Sequence, residues 1–138
     1  MGTFSFWVGL CWGMIWMRSD QTISVEIHGL RSAEGHVRLA LFRPSDVWMK
    51  EPLLTETIPA RKGAVSVKLQ APASGIYAIT VFHDTDGDGK LRTNVFGIPR
   101  EGFGFSNNAM GIFGPPGFKE ASFAVPASQP LRIDLRHY

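Results

Sequence analysis

Cysteine is all but missing. The 138-residue chain has one, Cys11, so no disulfide within the chain is available to staple a fold. A chain of this length buries enough apolar surface to hold a single core without staples. The lack does not fix a compartment, because many exported proteins also do without disulfides. An excess of one charge is missing too. Fourteen Lys and Arg stand against twelve Asp and Glu, a net +2, with no basic run beyond pairs such as Arg61-Lys62. A surface that tracks phosphates needs clustered cations, so nucleic acid is not an expected partner. No apolar run reaches the ~20 residues of a membrane-spanning helix. No stretch keeps apolar residues at helical spacing between caps, and "SDVWMKE" offers one turn at most. No internal repeat is present.

What is there begins with an uncharged, Trp- and Phe-rich stretch from Phe4 to Met17. Its length suits the apolar region of a signal peptide. Residues 1–20 are therefore expected to be a signal peptide or apolar leader, with one domain over 21–138. The protein is then expected to be exported, periplasmic or secreted, meeting the membrane only through the leader. The flanks depart from the usual pattern. No Lys or Arg precedes the stretch, no small-x-small site stands before Ser19-Asp20, and Leu10 ahead of Cys11 argues against lipid attachment.

From Gln21 onward the pattern has period two. Ile23, Val25 and Ile27 alternate with Ser24, Glu26 and His28 in "TISVEIHGL". "HVRLALF" and "AVSVKL" alternate likewise, and "RSAEG" reads as a hairpin loop between the first two strands. "GIYAITVF" is the strongest strand, with Tyr77, Ile79, Val81 and His83 on one face and Ile76, Ala78, Thr80, Phe82 and Asp84 on the other. The first face is expected to be the core face. "ASFAV" and "LRIDL" close the chain. About seven short strands with turn clusters such as "APASG" predict an all-β fold, a single β-sandwich with little or no helix.

The strongest strand runs straight into "HDTDGDGKL". Carboxylates at positions 1, 3 and 5 of a curled loop, with Gly at position 6, present oxygen ligands to a hard cation such as calcium. Here these are Asp84, Asp86, Asp88 and Gly89, with the Lys90 carbonyl at position 7. Position 12, normally a bidentate Glu, is Val95, and the flanks are not helical, so this is no EF-hand. Asn94 or Glu101 is the expected source of a further ligand. The plain alternative is an unmetallated turn, since Asp and Gly favour turns. Three like charges this close repel, and a turn needs no third aspartate.

His83 beside Asp84 raises a second chemistry, a hydrolase-like enzyme using His83, Asp84 and Glu101. Against it stands a His at a strand end bonded to loop backbone. The segment from Phe96 to Phe118 shows no strand or helix pattern yet holds five Phe, six Gly and three Pro. Loops this long are functional or disordered, and five Phe favour burial over disorder. Either Phe103, Phe105 and Phe113, with Asn107 and Asn108, form a platform for a small-molecule, glycan or peptide ligand, or the aromatics plug one end of the sandwich. In both cases the segment is expected to lie near the aspartate loop, which brings Glu101 towards Asp84.

The central run "GIYAITVFHDTDGDGKLRTNVFGIPREGFGFSNNA", followed by "GPPGFKEASFAV", resembles a bacterial family of exported proteins, the one numbered 2141 among the domains of unknown function. The resemblance spans about Thr22 to Leu135. It implies export and an immunoglobulin-like or transthyretin-like sandwich, and it implies no activity. A binding or structural module of the cell envelope, with calcium in its aspartate loop, is the expected function, ahead of an enzyme.

Overall fold

The computed structural model describes residues 21–91, 101–112 and 114–138. Period-two alternation resolves into two stacked sheets, an all-β sandwich. Strands β1 (Gln21–Leu30), β4 (Gly63–Ala71) and β8 (Leu131–Asp134) form one sheet in the order β4-β1-β8. Pairs such as Ile23 with Leu69, Val25 with Val67 and Ile27 with Val65 face each other across β1 and β4, all buried. β8 runs parallel to β1 and adds Ile133.

The second sheet holds β3 (Leu54–Pro59), β2 (His36–Phe42), β5 (Gly75–Asp84) and β6 (Phe103–Phe105), in that order. β7 (Phe123–Val125) pairs with the start of β5, and β6 pairs with its later half, on Thr80 to Phe82. Val37, Leu39, Leu41, Tyr77, Ile79 and Val81 meet the first sheet in one core, as the parity of β5 predicts. Gly104 of β6 sits on this inner side. A Cβ there would approach Ile133 Cγ2 to 2.7 Å, so the sheets close to this spacing only with glycine.

The structure corrects four expectations. β1 and β2 are not a hairpin, because they lie in different sheets. β3 and β6 are strands that the sequence pattern did not reveal; β3 is a half-exposed edge and β6 is three residues long. "ASFAV" is not wholly strand, since Ala121 ends a short helix, α1 (Phe118–Ala121), and the strand starts at Phe123. "GPPG" therefore leads into α1. Finally, Phe103, Phe105 and Phe118 do not plug an end of the sandwich, while Phe96 and Phe113 lie outside the described residues. Phe103 and Phe105 project from the outer face of the second sheet and pack with Ala78, Ala121, Trp48, Phe82, Met110 and Phe118 in a separate apolar cluster. Trp48 stands edge-on to Phe42 and Phe118, at ring centroid separations of 4.9 and 5.6 Å.

The C-terminal tail fastens the two sheets together. Leu135 N–H donates to the His28 carbonyl of the first sheet at 2.8 Å, and Arg136 and Phe103 exchange backbone hydrogen bonds at 2.8 and 3.1 Å. This bridge holds β6 in place, and β6 sets the position of the residues just before it, Glu101 and Gly102.

Candidate metal centre

β5 ends at Asp84, and its last outward side chain is fully buried. The loop after it curls because its carboxylates capture its own backbone. Asp84 Oδ1 accepts from Gly87 N–H at 3.0 Å and Oδ2 from Gly89 N–H at 2.8 Å. Asp86 Oδ1 accepts from Asp88 N–H at 3.4 Å, and Asp88 Oδ1 from Lys90 N–H at 2.8 Å. Gly87 and Gly89 hold φ of 72° and 76°, the left-handed region in which a Cβ is strained. The spacing of Asp and Gly in the sequence is thus what this curl requires.

Two distant residues complete the group. Arg38, on the outward face of β2, donates Nε–H to Asp84 Oδ2 at 2.6 Å. Glu101 is buried beside the loop, and its Oε2 accepts from Thr85 N–H at 2.7 Å and Thr85 Oγ1 at 3.2 Å. One oxygen from each of Asp84, Asp86, Asp88 and Glu101 lies within 4.8 Å of the others. Two of the four residues are buried and two exposed, so the group opens to water on one side. Oxygen donors at such separations suit a hard divalent cation. Of the residues expected there, Asn94 lies outside the described residues. Lys90 follows Gly89 directly, with its N–H held by Asp88.

Burial acts most strongly on Asp84 and pushes its pKa up. The hydrogen bonds from Arg38 and Gly89, then that with Asp86 and the charge of Arg38, outweigh it and bring the pKa down to about 2. Asp84 is therefore a carboxylate at neutral pH, already partnered by one guanidinium. Neither Arg38 nor Thr85 was singled out in the sequence. The only sign of Arg38 is its parity, opposite to Val37, Leu39 and Leu41; nothing local tells that β2 will lie beside β5.

His83 does not join this group. It is adjacent to Asp84 on a strand, so it points to the opposite, inner face. Its ring Nε2 is 2.6 Å from the Glu34 carbonyl. A carbonyl only accepts, so Nε2 carries the proton and donates it. The ring is thus tied to loop backbone and turned away from the Asp84 side of the strand. Asn107 and Asn108 are also committed within the fold. Asn107 Nδ2 donates to the Ser122 carbonyl at 2.6 Å, and Asn108 Oδ1 accepts from Asp134 N–H at 2.8 Å. Phe103 and Phe105 are buried, and Phe113 lies outside the described residues. The aromatic platform expected from the sequence is not presented by these four.

No curated protein and no solved structure matches the chain. A family model described as an uncharacterized protein conserved in bacteria, DUF2141, matches residues 25–133, which takes in both sheets, the aspartate loop and Glu101. The chain belongs to this family.

Proposed function

We propose that this domain is a calcium-binding β-sandwich module that works as a binding or structural unit of the bacterial cell envelope. The carrying observation is the convergence of four carboxylates from two segments, Asp84 to Asp88 and Glu101, with one oxygen of each within 4.8 Å of the others. Calcium accepts six to eight oxygens in flexible geometry, and carboxylate oxygens gathered this closely supply several of them. The apolar stretch ahead of Asp20 supports export, to a setting where calcium is plentiful enough for a weak site.

Lacking a Glu at loop position 12, the site is expected in the ~10⁻⁴ to 10⁻³ M range of extracellular modules. Calcium at about 10 mM then stabilises the native state by roughly 1.4–2.7 kcal/mol through RT ln(1 + [L]/Kd). Thermal melting of the full chain against calcium should show a rise of several degrees, which Asp86→Ala abolishes. A melting temperature that ignores calcium, together with no heat in calorimetry, leaves a self-bonded turn and ends the proposal.

A further inference from the structure

The described residues cover the outer face of the second sheet only in part. Two rows cross it side by side, Thr55–Ala40–Thr80 and Thr57–Arg38–Phe82. Phe105 and Phe103 of β6 continue the rows at one end, under the aromatic cluster. At the β3 end no cluster of the described residues lies over them. There the small Ala40 between two threonines leaves a groove of about 170 Å³, and Gly89 of the aspartate loop forms one wall.

The geometry points to a second site here, a groove for a neutral pyranose ring. Three threonine hydroxyls line it: Thr57 Oγ1 accepts from Arg38 Nη1 at 3.3 Å and keeps its proton to donate, and those of Thr55 and Thr80 can donate and accept, as sugar hydroxyls do. The half-buried Phe82 ring offers an apolar surface to the C–H face of a pyranose. Charge argues for neutrality. The Arg38 guanidinium is matched by Asp84 at 2.6 Å, so it offers N–H donors with no uncompensated charge. An anionic ligand would approach the carboxylate of Asp88 in the adjoining loop, one residue from the groove wall at Gly89. A wholly apolar one would strip water from three hydroxyls without replacing their hydrogen bonds. The groove uses none of the carboxylates of the cation site.

The test is amide NMR on the full chain, titrated with glucose, cellobiose and glucuronate into the millimolar range, with a chelator present so that the cation reading plays no part. Glucose or cellobiose should move the amides of Thr55, Thr57, Thr80, Phe82 and Gly89, and glucuronate should bind more weakly than glucose. Phe82→Leu and Thr55→Val should each weaken binding by up to about tenfold. Thr55 is exposed on the edge strand, so its variant stays folded even where Phe82→Leu does not. Silence of the groove amides with both neutral sugars overturns the proposal. So do shifts centred elsewhere, an unchanged affinity in Thr55→Val, or a preference for glucuronate. A melting response to calcium without any sugar shift leaves the cation site standing alone.

Discussion

Tyr77, Ile79, Val81 and His83 point from β5 into the space between the sheets, whereas Ala78, Thr80, Phe82 and Asp84 point from the same strand away from it. The inner residues meet one continuous core. The outer residues meet three surroundings: the aromatic cluster at Ala78, a half-open groove at Thr80 and at Phe82, which also packs with that cluster, and the carboxylate group at Asp84. One face therefore supplies stability mainly by burial, with Tyr77 OH and His83 Nε2 bonded to backbone carbonyls, and the other is graded from apolar to charged over four residues. The grading explains why "GIYAITVF" lacks the clean alternation of β4, whose outer face carries Ser66, Lys68 and Gln70.

The contrast is broken most violently from the inside. Val81→Asp buries an unpaired carboxylate at a residue with 2% exposure and should cost about 4 kcal/mol or more, measured by denaturant unfolding. The same change one residue earlier, Thr80→Asp, should cost far less, because that side chain is half-exposed and reaches water. Equal losses at the two positions would mean that both faces are sealed.

Removing Arg38 tests the charged end of the outer face. Arg38→Met leaves Asp84 buried without its guanidinium and should destabilise by about 3 kcal/mol at neutral pH. The pH dependence follows from the lowered pKa. Asp84 stabilises the native state fully above its unfolded value of 3.8, and this is lost as pH falls towards about 2. The stabilisation amounts to roughly 2 kcal/mol, and Arg38→Met should remove much of it and flatten that part of the acid limb. An acid limb identical in the two proteins would show that the pair is immaterial.

The aromatic cover is pinned by one hydroxyl, and its loss should be the mildest of the three. Ser106 Oγ accepts from Ile79 N–H at 2.9 Å and donates to the Ala121 carbonyl, with no exposed surface. Ser106→Ala strands a buried donor and acceptor and should cost about 1–3 kcal/mol. Hydrogen exchange should speed at Ile79 and around α1. Unchanged protection there, with stability retained, would show that the aromatic packing holds the segment without the serine.

Much of this was legible in the sequence, and the misses share a cause. The parity of β1, β2, β4 and β5 could be read because each has at least one face in the core, and burial imposes a period of two. β3 escaped notice because, as an edge strand, it carries Thr and Glu on exposed positions. β6 escaped because Phe-Gly-Phe is too short for a period to show. The aspartate loop was visible because its hydrogen bonds run between residues two to five apart.

By itself the sequence determined the all-β class, the two faces of β5 and the local curl of Asp84 to Lys90, all of which depend on side-chain spacing and backbone preference within a few residues. Only the tertiary structure decided that β2 places Arg38 against Asp84, 46 residues away, and that β6 carries Glu101 into the same group. It also decided that Phe103, Phe105 and Phe118 cover a sheet face and do not plug the sandwich. These choices rest on which strands lie side by side. That pairing is set by the burial of the whole core at once, and no local pattern of residues records it.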